Sequence, residues 1–310
     1  MNCLLIMNQN ANKGKSVQIH QEIEKAFQNT KHDYVMRQTA DANDARKFAY
    51  EAVGKYDVIV ACGGDGTVNE TVDGMLKRCE ELELDIQDRP KLAIFPIGRG
   101  NDFAWMMDID GDDIEHIVSN ITNNKHKVID AGWCRGGRFP DGAFFINGLG
   151  IGFEPTVNYN AGKYKNVSGS MSYIMALFHT LVHYPLAMNI TIKNEDGTSE
   201  KVSSQQLSIG NGRRMGSSFL MSPKAIVDDG LLDFVYAYRP ISRRVILLVA
   251  LKFFKGKQIE DSHFKMRRIK SLMIESELNN MVAHIDGEMI GTTLNHLEIK
   301  VRERAIAIIC

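Results

Sequence analysis

The sequence predicts an α/β domain built on a parallel sheet, followed by a mostly antiparallel β domain. Three observations carry this. Up to residue 96, short apolar runs alternate with segments of helical period, the pattern of a parallel sheet with helices on its faces. From about Val128 short alternating segments dominate, as in half-buried antiparallel strands. The glycine-rich turns of the first part follow strands, on the edge where such sheets bind ligands. With 310 residues the chain can bury two cores. The expected division is 1–130 and 131–310, with the last strand a candidate to return to the first domain.

In order, residues 3–7 read as a strand, 17–27 as a helix, 34–37 as a strand and 42–53 as a helix. Residues 58–62 form an apolar, β-branched run that reads as a buried parallel strand. Residues 67–78 carry Val68, Val72, Met75, Leu76 and Cys79 at helical spacing, and 92–96 is a further strand. In the second part, strands are expected at 144–147, 186–193, 205–210, 232–238, 272–277, 282–285, 297–301 and 305–309. Helices are expected at 170–183 and 242–254.

Composition narrows the function. Hydrophobic residues make up 44% and charged residues 24%, an ordinary globular balance. A net charge of -1 gives no global field to recruit nucleic acid or membrane. Five scattered cysteines without a C-x-x-C pair suggest neither a zinc site nor a disulfide framework, and fit reduced thiols in a cytoplasm. Residues 1–7 are too short for a signal peptide, and no apolar run approaches a bilayer span.

The chemistry-bearing feature is Gly63-Gly64-Asp65-Gly66-Thr67-Val68-Asn69-Glu70. It joins the carboxyl end of a strand to the amino end of a helix, where free N–H groups and the helix dipole attract phosphate. Glycines let a phosphate approach the backbone closely, and Asp65 adds a carboxylate suited to a magnesium-bound water or an attacking hydroxyl. Asn8 to Ser16 follows the first strand and ends in Gly14-Lys15-Ser16. The first glycine of a Walker A loop would be residue 9, which is Gln, so that reading fails. Thr39 precedes a helix and, alone, reads as an N-cap. Pro96 to Ala104 contains Gly98, Arg99, Asn101 and Asp102. Alone, Asn101-Asp102 reads as an Asx turn, Asp130 as a turn residue and Asp228-Asp229-Gly230 as a hairpin turn. His284 to Glu288 ends in Asp286-Gly287-Glu288.

Taken together, GGDGTVNE, the Pro96–Ala104 loop, Ser222 to Asp233 and the DGE triplet resemble the diacylglycerol kinase catalytic-domain family. That family includes soluble bacterial lipid kinases and sphingosine and ceramide kinases; the GGDG core is shared more widely, with NAD kinases and phosphofructokinases. The resemblance implies a Rossmann-like nucleotide-binding domain, a β-sandwich domain and an active site in the cleft between them. It implies an ATP- and magnesium-dependent lipid kinase, with diacylglycerol going to phosphatidic acid. Asn8, Gly14, Lys15, Thr39, Gly63, Gly64, Asp65, Gly66, Thr67, Asn69, Glu70, Gly98, Arg99, Asn101 and Asp102 would meet the nucleotide. Glu288 would be the general base, supported by Asp286 and Asp65. Asp102 and Asp130 would join the carboxylate network near magnesium, and a structural magnesium would take Asp229 with the carbonyls of Ile226 and Leu231. Departures are Gln9, Asn12, Arg99 where Thr is usual, and Ser217-Ser218 in a glycine run. The alternatives are a soluble kinase such as NAD kinase, or a non-catalytic nucleotide- or lipid-binding regulator. The expected partner is a lipid at the membrane surface, met from the cytoplasm without a transmembrane segment, and a homodimer is plausible from the resemblance. The cations between Lys252 and Lys270, interleaved with phenylalanines, read as a solvated face or as a rest for anionic headgroups.

Overall fold

The computed structural model describes residues 1–11, 16–161, 163–164, 170–183 and 186–310, with residues 170–174 described for backbone alone. Strands β1 (Asn2–Asn8), β2 (Asp33–Thr39), β3 (Val58–Gly63) and β4 (Lys91–Pro96) run parallel in the order β2-β1-β3-β4. Helices α1 (Ser16–Gln28), α2 (Asp44–Ala52), α3 (Asp65–Glu81), α4 (Asp102–Met106) and α5 (Ile114–Thr122) cover this sheet. Ile23 and Phe27 of α1 and Ile117 and Ile121 of α5 pack on one face. Ala49 of α2 and Val72 and Met75 of α3 pack on the other. Every residue of β3 is buried, as its unbroken apolar run requires of a strand covered on both faces.

The second half contains β5 (His126–Gly136), β6 (Phe139–Phe145), β7 (Gly148–Gly152), α6 (Phe153–Ala161), α7 (Ser170–Val182), β8 (Met188–Asn194), β9 (Ser199–Ser204), β10 (Gln206–Gly210) and β11 (Leu232–Ala237). It continues with α8 (Ile246–Phe253), β12 (Phe264–Ile269), β13 (Ser271–Ser276), β14 (Met281–Ile285), β15 (Glu288–Leu294) and β16 (His296–Ile309). Six of these strands form an antiparallel sheet in the order β12-β11-β10-β7-β14-β15. Its inner face meets β8, β13 and β16 through Leu149, Ile209 and Phe234 on one side and Ile192, Ile274 and Ile299 on the other. This is a β-sandwich.

The two expected strands at 297–301 and 305–309 are one strand. β16 pairs antiparallel with β13 and β5, then reaches β4 in parallel through Ile308 and Leu92. It therefore joins the parallel sheet to the sandwich, so a single ten-stranded sheet runs through both halves. The apparent break is a bulge: the register shifts between Arg302 and Ile306, and Arg304 takes a φ of 49°. Helix α8 starts at Ile246, because Ser242 to Val245 form a turn, with the Val245 N–H donating to the Ser242 carbonyl at 3.0 Å. Helix α5, unforeseen, is capped by the Asp113 carboxylate, which accepts from the His116 N–H at 3.0 Å.

Candidate functional site

Helix α3 begins directly after the glycine turn, with Gly64 as an N-cap that offers no side chain. Its first N–H groups are thus left to a ligand. Against them lies a cavity of about 230 Å³ lined by Asn8, Thr39, Gly66, Thr67 and Glu70 among others. Asn8 donates to the Thr67 hydroxyl at 2.9 Å, tying β1 to the turn. The carboxyl ends of β1, β2 and β3 therefore bring together residues far apart in sequence. Gly14 and Lys15, expected at the phosphates, lie outside the described residues.

The β4–α4 loop packs on this turn. An added Cβ on Gly98 would lie 2.5 Å from the Gly64 Cα and 2.6 Å from the Asn101 Oδ1, so the loops meet where no side chain fits. Asn101, in the left-handed region at φ 49°, donates to the carbonyls of Pro96 at 3.0 Å and Gly98 at 3.2 Å. Its amide holds the loop in place. Arg99 is exposed and forms no ion pair among the described residues.

Asp65 and Asp102 meet through this contact, the Asp102 N–H donating to Asp65 Oδ1 at 2.6 Å. Burial pushes the Asp65 carboxyl up to about 6, the Asp102 charge adding to it. Asp102 is already compensated: Arg214 Nε binds it at 2.7 Å and the Ser217 N–H donates to it at 3.0 Å. Asp65 has no cationic side chain paired with it among the described residues, which is the chemistry of a seat for a hard cation. Asp102 flanks that seat. Ser217, one of the departures, supplies its backbone here, with φ 67°.

Asp130 is placed elsewhere. Its two oxygens accept from the backbone N–H of Arg304 and of Gly230, both at 2.7 Å. The bulge of β16 leaves the Arg304 N–H without a ladder partner, and Asp130 satisfies it while closing the Asp228-Asp229-Gly230 loop. In that loop Asp229 Oδ1 accepts from the Leu231 N–H at 3.1 Å, and Oδ2 lies 3.4 Å from Arg268. Ile226 is exposed at 46%. Among the described residues no group of three His, Cys, Asp or Glu side chains is arranged to hold a metal.

Asp286 sits at the tip of the β14–β15 hairpin with a φ of 46°. Its carboxylate accepts from three consecutive N–H groups, those of Ile146, Asn147 and Gly148, at 2.8, 3.0 and 2.7 Å. A fourth donor, Asn69 of α3, reaches it at 2.9 Å. The phosphate-turn helix and the DGE hairpin are thus joined through one buried amide. Burial pushes the Asp286 carboxyl up, while these four donors pull the other way. Glu288 lies beside it, 3.0 Å from Arg138 and 3.7 Å from Arg46. Burial raises its carboxyl too, opposed first by Arg138 and then by Arg46; the nearby Glu70 and Asp286 add to the rise. Glu70 also lines the cavity.

Several residues of the site have no local signature in the sequence. Arg46 and Arg138 flank Glu288 from α2 and from the β5–β6 turn. Asp73, fully buried, binds Arg46 at 2.6 Å and Lys77 at 3.1 Å and accepts from the Phe144 N–H at 2.8 Å. His284, on β14 two residues before Asp286, is buried. Its Nε2 lies 2.6 Å from Glu154 of α6, and its Nδ1 accepts from the Gly287 N–H at 3.1 Å. A Cβ on Gly150 would come within 2.5 Å of Glu154 Oε2, so this pairing needs glycine there. Burial opposes charge on His284, but Glu154 outweighs it and raises its pKa.

Comparison with known proteins agrees with this fold. Residues 2–134 match the family model of the diacylglycerol kinase catalytic domain. Residues 148–310 match that of the YegS C-terminal NAD kinase beta sandwich-like domain. A diacylglycerol kinase of Bacillus subtilis (strain 168) is 27% identical over 263 residues, covering 83% of this chain and 81% of that one. A probable lipid kinase YegS-like protein of Yersinia enterocolitica is 30% identical over 225 residues, 69% of each chain. A crystal structure of a diacylglycerol kinase from Bacillus anthracis str. Sterne superposes with a TM-score of 0.69 at 23% identity, covering 99% of this chain and 96% of that one. Yeast NADH kinase superposes with a TM-score of 0.54 at 11% identity, covering 99% and 82%, a likeness of fold.

Proposed function

The chain belongs to the diacylglycerol kinase catalytic-domain family, and from that membership we propose that it transfers the γ-phosphate of ATP to a membrane-lipid hydroxyl, with diacylglycerol the first candidate acceptor and phosphatidic acid the product. The observation that carries the reading is the Asn69–Asp286 contact, which joins the phosphate-binding helix to the hairpin bearing Glu288. The cavity beside Asn8, Thr39, Thr67 and Glu70 takes the nucleotide. The amino end of α3 and the Gly63–Gly66 turn face its phosphates. Magnesium would supply charge neutralisation at the transferring phosphate, and Asp65 is the residue that would hold it, with Asp102 alongside. A second, structural magnesium on Asp229 and the carbonyls of Ile226 and Leu231 would compete with Arg268 for the carboxylate.

The lipid hydroxyl attacks the γ-phosphorus, the bond to the β-phosphate oxygen breaks, ADP leaves, and the hydroxyl proton passes to Glu288. Asp286, held by four donors, is an orienting group. Arg46 and Arg138 keep Glu288 from swinging away, and its raised pKa brings its basicity toward the working range of a general base. Catalysis is then positioning and charge neutralisation.

The test is transfer from γ-labelled ATP and magnesium to a panel of lipids in mixed micelles, with NAD as a separate acceptor. A labelled lipid supports the reading and names the acceptor class. Label in the NAD reaction alone would replace it with the soluble-kinase reading. ATP binding without transfer to any acceptor would leave a regulator.

A further inference from the structure

Apart from Lys252 in its last turn, helix α8 is built of apolar residues alone, a composition that normally belongs to a buried helix. Ile246, Val249 and Phe253 are indeed buried, packed with Phe153, Met221 and Phe264. The opposite face is in solvent: Leu247 is 50%, Leu248 63%, Leu251 55% and Phe254 48% exposed. Four large side chains on one short surface ridge make an apolar patch that needs a partner.

The surrounding charge says which. From Arg239 to Lys257 there are six cations and no acidic residue, in a chain whose net charge is -1. Arg243, Arg244, Lys255 and Lys257 are exposed and bracket the ridge at both ends. Among the described residues only Lys252 of this segment is ion-paired, to Asp261 at 2.6 Å. By contrast, the cations further along are engaged within the protein: Arg267 binds Glu200 at 3.0 Å and Lys270 binds Glu303 at 2.7 Å. Arg268 lies 3.4 Å from Asp229. The free positive charge of the expected 252–270 patch therefore sits mainly around α8.

We propose that α8 and its flanking cations form the surface by which this protein docks on a bilayer rich in anionic lipid. The leucines would enter the headgroup–acyl boundary while Arg243, Arg244, Lys255 and Lys257 meet lipid phosphates. Resting on the lipid-kinase reading, this docking also has a route to the site. The Leu220 N–H donates to the Phe253 carbonyl at 2.8 Å, and buried Gln258 donates to the Leu220 carbonyl at 2.6 Å. Three residues earlier on the same loop, the Ser217 N–H holds Asp102. A bilayer under α8 thus lies one short, hydrogen-bonded loop away from the nucleotide site.

The experiment compares the full chain with Leu248→Glu/Leu251→Glu, two changes at exposed positions, and with Leu248→Ser/Leu251→Ser, which adds no charge. Binding is measured by co-sedimentation with phosphatidylglycerol–phosphatidylcholine vesicles and with pure phosphatidylcholine vesicles. Transfer is measured to a short-chain, water-soluble diacylglycerol, and oligomeric state by gel filtration. Expected are salt-sensitive binding of the wild type to the anionic vesicles, a loss of roughly a hundredfold in the Glu variant, and a smaller loss in the Ser variant. Transfer to the soluble acceptor is retained in both. Variants that bind vesicles as the wild type does would overturn the proposal. So would unchanged vesicle binding with a shift from dimer to monomer, which would make α8 a contact between copies. Loss of vesicle binding with no transfer by any protein, wild type included, would leave the docking surface standing and sink the kinase reading.

Discussion

Replacing Asp65 by Asn is expected to stabilise the protein while disabling it. Burial and the neighbouring Asp102 charge lift the Asp65 carboxyl from 3.8 to about 6. A carboxyl with a raised folded-state pKa favours folding fully below its unfolded value and loses that contribution as pH rises through the folded value. The window is therefore pH 4 to 6, and above it the folded state carries a constant penalty. A shift of two units corresponds to about 3 kcal/mol; partial exposure of the group brings the expected figure to about 2 kcal/mol. Asn removes the charge but keeps an oxygen to accept the Asp102 N–H, so the loop contact survives. Urea unfolding at pH 4 and at pH 7.5 reads the effect as a shift in midpoint at constant slope. The variant should match the wild type at pH 4 and exceed it at pH 7.5. Adding magnesium and ATP at pH 7.5 should narrow the gap, because a cation at Asp65 compensates the wild-type charge. An equal difference at both pH values, or none at pH 7.5, would refute the idea that Asp65 is a strained, cation-seeking carboxylate.

Other outcomes follow from the same geometry. Asp130→Ala removes the acceptor of the Arg304 and Gly230 N–H groups, two part-buried hydrogen bonds worth about 1 kcal/mol each. Thermal unfolding should fall by several degrees, and a variant as stable as the wild type would contradict the bulge-staple role. Glu154→Gln removes the charge that raises the His284 pKa, so the acid limb of the activity profile should move to lower pH, provided a neutral His284 is needed to accept the Gly287 N–H. An unmoved limb would show that His284 does not govern the DGE turn. Asn69→Ala cuts the side-chain link between α3 and Asp286. It should lower kcat by about tenfold or more while leaving nucleotide affinity within a few-fold, and equal losses in both would mean the amide serves nucleotide binding instead.

The parallel sheet was legible because β3 is an unbroken apolar run and α3 keeps its period through Cys79. The phosphate turn was legible because glycines and an acid at a strand–helix junction have few other uses. What was hidden is tertiary. Nothing local distinguishes Asp130 as a staple, since its partners at Gly230 and Arg304 are brought to it by the sheet. Arg304 falls inside what reads as a gap between two strands, because a bulge disrupts the alternation on which such readings depend. Arg46, Arg138 and Arg214 look like surface charges in sequence, and only folding aims them at Glu288 and Asp102. Strand β12 was masked by its own cations, which the fold turns onto Glu200, Asp229 and the aromatic rings of Phe234 and Tyr236.

The reading stands on Glu288 taking the proton from a lipid hydroxyl while other residues hold the nucleotide. The most direct measurement is a side-by-side rate of phosphate transfer to diacylglycerol by the wild type and Glu288→Gln, with ATP affinity determined on the same preparations. A fall of about 10²–10⁴ in rate with ATP binding unchanged is expected. A variant that transfers phosphate at the wild-type rate would contradict it.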